Sequence, residues 1–188
     1  MKVTKADLTK YYNSKMFVHT ENNEIFDKHP FNGDMDRLFS FSSSLDMNFF
    51  LDDVEITLDV YNDDSPDNVI CEGQTVQIKP GIYSKILLSG FCMLGCFEDK
   101  INIEYIDGST EYKTIFLYSI LESDFYYSNL YNNFSAHNCK QLYKYTNKSD
   151  KELYIWSCVV EIENNKTLKS ITLPNNELIQ IFNISLLS

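Results

Sequence analysis

The acidic segment from residue 52 to residue 72 holds the side chains best suited to metal chemistry. Asp63, Ser65 and Asp67 offer oxygen atoms at alternate positions, as the start of a calcium-binding loop does. The EF-hand pattern would continue with Gly and a bidentate Glu, but this chain has Asn and Gln at those positions. The segment is therefore interpreted either as a structural calcium site or as a solvated acidic loop.

Aromatic side chains in two other segments suit ligand recognition. Trp156 alternates with Tyr154 on a predicted strand and offers a ring for sugar stacking, although a tryptophan beside apolar neighbours more often belongs to the core. Tyrosines in the connection 121–150 suit recognition of sugar or protein when they are exposed, and otherwise pack within the loop. The predicted ligand-binding residues are Asp63, Asp64, Asp67, Asn68, Tyr126, Tyr127 and Trp156, with Asp63, Ser65 and Asp67 as the calcium ligands if calcium binds.

Motifs for catalysis are absent from the sequence, so no catalytic residue and no enzyme activity is predicted. The chain lacks the nucleophile-elbow, zinc-protease, P-loop and dinucleotide patterns. A glycosidase needs two carboxylates at a set separation, but the 27 acidic residues do not single out a pair. Cys92 and Cys96 lack the paired partners of a zinc site, which favours buried packing, while a Cys–His nucleophile pair stays open.

The charge of the chain limits its partners. With 16 Lys and Arg against 27 Asp and Glu, the net charge is −11, and Arg37 is the one arginine. A nucleic-acid-binding protein needs a basic face, so nucleic acid is excluded as a partner, and an anionic membrane surface is disfavoured for the same reason. This charge is compatible with a carbohydrate or another protein as the partner.

The expected cellular compartment is inferred from two patterns that the sequence lacks, a membrane-spanning run and a signal peptide. There is no run of about 18 apolar residues to span a membrane, and no apolar stretch follows the lysines near the N-terminus as in a signal peptide. Five cysteines also argue against a framework of paired disulfides. We therefore expect a cytoplasmic protein without a resident cofactor, apart from the calcium ion considered above.

Alternation with a period of two residues is the main structural signal. Residues 54–60 alternate without a fault, 74–79 place two valine or isoleucine side chains on one face, and 82–89 form a more continuous apolar run typical of a central strand. Residues 101–105 and 112–118 flank Asp107-Gly108, which predicts a β-hairpin with a type I′ turn.

The rest of the chain adds strands at 152–163, 169–173 and 179–187, with Pro174 ending the middle one. Helix signals are poor: 4–12 could form one or two turns with Thr4 as N-cap. Many short strands without βαβ alternation predict an all-β fold, either a sandwich or a barrel. Of these we expect a two-sheet antiparallel β-sandwich. We expect one domain over 1–188, with an N-terminal arm at 1–30 and the sandwich core at 31–187.

Several short motifs, taken in order, resemble a known class of module. They lie at 31–33 (FNG), 67–74 (DNVICEGQ), 80–86 (PGIYSKI), 105–109 (YIDGS), 169–176 (KSITLPNN) and 179–186 (IQIFNISL), with Gly95 among them. Together they resemble the galactose-binding-like jelly-roll modules attached to bacterial glycoside hydrolases such as fucosidase-type enzymes, and short stand-alone bacterial proteins of that pattern. The resemblance implies a carbohydrate-binding-like jelly roll without catalytic residues.

Two functions follow from this resemblance as expectations. The first is a non-catalytic, carbohydrate-binding-like module with its ligand on loops at one end of the sandwich, near 63–68 or 121–150. The second is a protein-interaction or structural module that keeps the scaffold without binding sugar. It is favoured by 118–120 (Tyr-Ser-Ile), where such modules usually have an Asp-Trp pair. A glycoside-hydrolase-related enzyme is a third, weaker alternative.

Overall fold

Strands make up most of the residues that the computed structural model describes, which are 2–14, 16–19, 39–41, 48–51, 54–57, 65–121, 139–146 and 152–188. These residues contain one 3₁₀ turn, at Thr9–Tyr11, and no α-helix, so none of them forms a helix that could cross a membrane. The strands are β1 (Val3–Lys5), β2 (Phe17–His19), β3 (Phe39–Phe41), β4 (Asn48–Leu51), β5 (Val54–Thr57), β6 (Val69–Glu72), β7 (Thr75–Ile82), β8 (Lys85–Cys92), β9 (Phe97–Tyr105), β10 (Thr110–Leu117), β11 (Cys139–Thr146), β12 (Glu152–Glu161), β13 (Thr167–Thr172) and β14 (Asn175–Leu187).

Two antiparallel sheets form the sandwich and confirm the predicted fold class. The six-stranded sheet has the order β1-β14-β8-β12-β11, with β6 beside β14, and the four-stranded sheet has the order β10-β9-β13-β7. Two small pairs accompany them, parallel β2–β3 and antiparallel β4–β5. Neighbouring strands of each sheet are mostly distant in sequence, so the sandwich depends on long-range pairing.

The main core lies between the two sheets. In the six-stranded sheet, Leu88, Cys158 and Ile184 occupy one row across β8, β12 and β14, and all three are buried. This face contacts the four-stranded sheet, because the Cys92 Sγ donates to the carbonyl of Leu117 at 3.2 Å. Alternate apolar side chains of both sheets therefore fill one shared interior.

The outer face of the six-stranded sheet is buried as well. Residues 86–92 of β8 are all buried, so the continuous apolar run predicts a central strand correctly. The β4–β5 hairpin contacts β11 and β14, and its Val54 and Ile56 belong to the same hydrophobic cluster as the main core. Since the inner face is occupied by the other sheet, the hairpin covers part of the outer face and forms a third layer.

The hairpin predicted around Asp107-Gly108 is confirmed as β9–β10, but its turn differs from the expected type. Gly108 has a φ of +83°, whereas Asp107 is not in the positive-φ region that type I′ requires at both positions. The Asp107 Oδ1 instead accepts bonds from the backbone N–H and the hydroxyl of Ser109, at 2.8 and 2.6 Å. The backbone N–H of Gly108 also donates to the carbonyl of Tyr105 at 3.0 Å, so this turn needs only one left-handed residue, at Gly108.

The N-terminal residues correct two predictions. Thr4 lies in β1, which pairs with β14, so it is not an N-cap, and the one or two turns considered for 4–12 are present as a single 3₁₀ turn. Leu8 and Met16 are almost fully buried in the hydrophobic cluster. The division into an arm and a core at residue 30 therefore fails for these residues, because burial in the sandwich outweighs their weak helix signal.

The connection 121–150 also contains more structure than expected. Strand β11 forms the edge of the six-stranded sheet and pairs with β12, with an irregularity between Gln141 and Tyr143. This bulge interrupts the alternation, which explains why the strand was missed in the sequence. Pro174, as predicted, lies outside the strands, between β13 and β14.

Candidate functional site

Asp67 and Asn68, two of the predicted ligand-binding residues, are both fully buried. The Asp67 Oδ1 accepts bonds from the Met16 backbone N–H at 2.8 Å and from the Asn68 Nδ2 at 3.1 Å. The Asn68 amide also donates to the carbonyl of Ser14 at 3.2 Å. These bonds attach the N-terminal segment to the start of β6, so Asp67 does not lie in a solvated acidic loop.

The other loop residues predicted to bind a ligand or calcium give no further support for such a site. Ser65 is exposed, while Asp63, Asp64, Tyr126 and Tyr127 lie outside the described residues. Within the described ranges no three His, Cys, Asp or Glu side chains are grouped to hold a metal. The calcium site and the loop tyrosines stay predictions.

Trp156 is placed in the core, which corrects its assignment as a sugar platform. It is 3% exposed, its indole N–H donates to the carbonyl of Ser119 at 3.0 Å, and its ring contacts the rings of Tyr118 and Tyr154 with centroid distances of 4.9 and 5.6 Å. Stacking on a sugar requires an accessible ring face. The apolar residues that alternate with Trp156 on its strand already favoured the core interpretation.

An exposed aromatic ring is instead found on the outer surface of the four-stranded sheet. Tyr112 of β10 is 69% exposed, the largest value among the described large hydrophobic residues. In the strand register Tyr112 lies opposite Asn102, which lies opposite Thr172, which lies opposite Thr75. Directly opposite residues point to the same side of a sheet, so one row contains a tyrosine, an amide and two hydroxyls.

The adjacent row is also polar. It runs from Thr110 through Glu104 and Ser170 to Gln77. We call this surface the open face, and define it by the outward side chains of the four strands: Thr75, Gln77, Lys100, Asn102, Glu104, Thr110, Tyr112, Thr114, Lys169, Ser170 and Thr172.

Two of the three charged side chains of the open face, Glu104 and Lys169, are paired with each other, and the third is the exposed Lys100. The Lys169 Nζ lies 2.6 Å from the Glu104 Oε1, and the Ser170 hydroxyl donates to the Glu104 Oε2 at 3.0 Å. The bond from Lys169 and then that from Ser170 lower the pKa of Glu104. Thr75 and Thr172 share a hydroxyl–hydroxyl bond of 3.0 Å. Ser170 is 1% exposed and the Asn102 Oδ1 is buried, so the polar groups that reach the surface of this face are mainly those of the exposed threonines and Gln77. The face has no strong net charge.

A comparison with models of known protein families identifies the family of this chain. The sequence model of the AziU2-like beta-sandwich domain matches residues 4–188, which is nearly the whole chain. The chain belongs to this family. No curated protein matches it. The matched range begins within β1, in agreement with the structure, which makes the N-terminal strand part of the sandwich.

A second polar group of the AziU2-like domain lies where β10 meets the β12–β13 turn. The Tyr105 hydroxyl donates to the Glu111 carboxylate, and the Lys113 Nζ lies 3.0 Å from the other Glu111 oxygen. Burial tends to raise the pKa of Glu111, but the bonds from Tyr105 and Lys113 outweigh it, so this pKa is lowered. For Tyr105, burial and then the bond to Glu111 raise the pKa.

This group is best explained by its position at a sheet edge. β10 is the outermost strand of the four-stranded sheet, and Glu111 and Lys113 alternate with the outward Tyr112. Inward-pointing charges on an edge strand prevent pairing with another chain. We therefore assign Tyr105, Glu111 and Lys113 to stability and edge protection.

The cysteines of the AziU2-like domain are thiols, joined by no disulfide, and all five lie in described segments. Burial is the largest cause that raises the pKa of Cys71, Cys92, Cys139 and Cys158. A reactive nucleophile needs a lowered pKa, so these four have the environment of packed core residues. Buried packing was predicted for Cys92 and Cys96; it is confirmed for Cys92, whereas Cys96 is only partly buried.

The residues of the open face were missed as a site in the sequence. The alternating run 112–118 predicts that Tyr112 shares one face and one environment with Phe116 and Tyr118, but those two side chains are buried. The signal that could have found the face is the hairpin register, which places Tyr112 opposite the polar Asn102. The other positions of each row depend on the pairing of β13 with β9 and of β7 with β13, and no local pattern reveals either pairing.

Proposed function

We propose that this AziU2-like domain is a non-catalytic, carbohydrate-binding-like module, and that its ligand binds on the open face. The observation that carries the proposal is the exposed Tyr112 ring in a row with hydroxyl and amide side chains. Sugar rings are recognised by an aromatic ring that covers their C–H face and by polar side chains that bond their hydroxyls. The open face provides both within two adjacent rows.

The position of the proposed site differs from the sequence expectation. Of the loop residues expected to bind, Asp67 and Asn68 are buried and bonded to the N-terminal segment. The open face, by contrast, is accessible and uses strands as a rigid support. Rigid elements hold a binding constellation more accurately than loops do.

The ligand class is supported by the balance of groups on the face. The Glu104–Lys169 pair compensates its own charge, and apart from Lys100 the other side chains of the open face are neutral. Such a surface suits a neutral oligosaccharide better than a highly charged one. The sequence resemblance to galactose-binding-like jelly-roll modules supports the same ligand class, and we propose that the sandwich belongs to that broader group.

The experiment is a glycan array probed with the purified protein, followed by calorimetric titration of any oligosaccharide that binds. We expect Tyr112→Ala to weaken binding about tenfold, which corresponds to loss of an aromatic contact of ~1.4 kcal/mol. Asn102→Ala should weaken binding as well. Leu94→Ala is the matched control, because Leu94 is 53% exposed in the β8–β9 loop, away from the open face.

Two results would contradict the proposal. One is the absence of any binding across plant, animal and bacterial glycans. The other is binding that Tyr112→Ala leaves at the wild-type affinity, since the ligand would then lie elsewhere on the molecule.

A second function, protein interaction, is favoured by a different observation. Ile82 and Ile106 are 55% and 56% exposed, and they flank Thr167 in one row at the end of the same sheet. Exposed apolar side chains that lie close together are typical of interaction sites. If this row binds a protein, Ile82→Ser with Ile106→Ser should abolish the association in a pull-down with a candidate partner, while Tyr112→Ala leaves it intact.

A further inference from the structure

The outer face of the six-stranded sheet contains a buried row of polar side chains. Asn183, Ser89 and Ser157 lie opposite one another across β14, β8 and β12, and all three are fully buried. The Ser89 hydroxyl donates to that of Ser157 at 3.3 Å. Buried polar groups are costly unless they find partners, so a polar row in this position requires an explanation.

A bulge in β14 concentrates further polar groups beside this row. The register with β8 shifts between Ile181 and Asn183, so that Phe182 is the extra residue. Gln180 lies opposite Phe91, which alternates with Ser89, and therefore shares the outer face with Asn183. The Phe91 and Phe182 rings, 5.3 Å apart, pack on this side as well.

Asn68 lies immediately before β6 and continues its extended backbone, since it forms an antiparallel bridge with Ser14. Ile70 lies opposite Gln180, and Asn68 is two residues before Ile70, so the alternation places it on the same face. We call Asn68, Gln180 and Asn183 the amide cluster. Two of these side chains are fully buried, and Gln180 is 3% exposed.

Each side chain of the amide cluster has a buried oxygen that lacks a partner. The Asn68 Oδ1, the Gln180 Oε1 and the Asn183 Oδ1 make no hydrogen bond to any residue that the structure describes. Two of the amides are oriented by bonds of their nitrogens, Asn68 to the Ser14 carbonyl at 3.2 Å and Asn183 to the Ser185 hydroxyl at 2.9 Å. The three atoms that lack a hydrogen-bond partner are therefore all acceptors.

We infer that the amide cluster is a binding site for a small primary ammonium ion. Such a group has three N–H donors and no acceptor, which matches three amide oxygens. The buried Asp67, next in the chain to Asn68 and bonded to its amide, contributes the negative charge that a buried cation needs. The site lies on the outer side of the six-stranded sheet, apart from the open face, and does not depend on the proposed function.

The test compares ethylammonium chloride with tetramethylammonium chloride at equal ionic strength, with the melting temperature as the readout. A ligand that binds only the folded state stabilises it in a saturable manner. We expect a saturable rise with ethylammonium and none with tetramethylammonium, which carries the same charge but no N–H donor. An equal response to both salts, or no response to either, would overturn the inference.

Substitutions in the amide cluster test whether the rise in melting temperature with ethylammonium comes from this site. Asn183→Leu removes one acceptor at similar volume and should abolish the ethylammonium response, and because it also removes an unsatisfied buried group it should not lower the melting temperature. Gln180→Met is the second variant if Asn183→Leu does not fold. Tyr112→Ala should keep the full response, since it changes only the open face. A response that survives both amide substitutions would also overturn the inference.

Discussion

At the scale of single residues, the environment of a side chain decides its role more than its type does. Trp156 and Tyr112 are both aromatic residues on strands, yet one is enclosed by other rings and the other is exposed. Tyr105 shows a third outcome, because its ring is buried while its hydroxyl reaches the Glu111 carboxylate. These differences follow from which neighbours the sheets bring together.

The Tyr105–Glu111 bond leads to a prediction about pH. The pKa of Glu111 is lowered in the folded state, so its stabilising contribution is present above its unfolded pKa and is lost as the pH falls through the folded pKa. Tyr105→Phe should lower the free energy of unfolding by about 1–2 kcal/mol at pH 7, and by less as the pH falls through this range. Denaturant unfolding at several pH values measures it.

The matched control is Tyr83→Phe. The Tyr83 hydroxyl donates to the neutral carbonyl of Lys79 at 3.0 Å, so its loss should cost the same amount at each pH. If both variants showed the same pH dependence, the assignment of a charged acceptor to Tyr105 would be wrong.

At the scale of secondary structure elements, the bulge in β14 is held in place by a glycine in the neighbouring strand. Gly90 lies opposite Ile181, and a Cβ there would collide with the carbonyl oxygen of Gln180 and lie 3.2 Å from the Ile181 Cα. Both contacts are with backbone atoms, which cannot move aside as a flexible side chain can. The close approach of β8 and β14, and with it the amide cluster, depends on this glycine.

We predict that Gly90→Ala lowers the free energy of unfolding by about 3 kcal/mol, because the added methyl group overpacks a central pair of strands. Gly108→Ala is the control: nothing lies within 4 Å of its Cβ position, but its φ of +83° should cost about 1 kcal/mol. Denaturant unfolding of both variants compares the two effects. An equal loss in both would show that β8 and β14 can separate to accommodate a side chain.

At the scale of the whole molecule, the sandwich has three layers rather than two over part of its area. The four-stranded sheet covers one face of the six-stranded sheet, and the β4–β5 hairpin covers part of the other. Both faces of the central strands are therefore buried, which isolates the cysteines located there. Cys96, in the β8–β9 loop, is the only cysteine among the five described that is partly exposed.

This arrangement predicts the reactivity of the thiols. In the native protein, Ellman's reagent should react rapidly with one thiol, that of Cys96, and in denaturant it should react with all five. Cys96→Ser should remove the rapid reaction and leave the melting temperature almost unchanged. Rapid native reaction of two or more thiols would contradict the burial of the sheet interior.

The sequence by itself determined the all-β class, the β9–β10 hairpin and the central position of β8, because period-two alternation and turn residues act over a few neighbouring positions. Only the tertiary structure decided that the N-terminal residues belong to the sheet, that Trp156 is buried, and that Tyr112 lies beside Asn102 and Thr172. These facts depend on which distant strands pair and in what register, and each local pattern is compatible with many pairings. The same limit explains why neither the open face nor the amide cluster was visible in the order of residues along the chain.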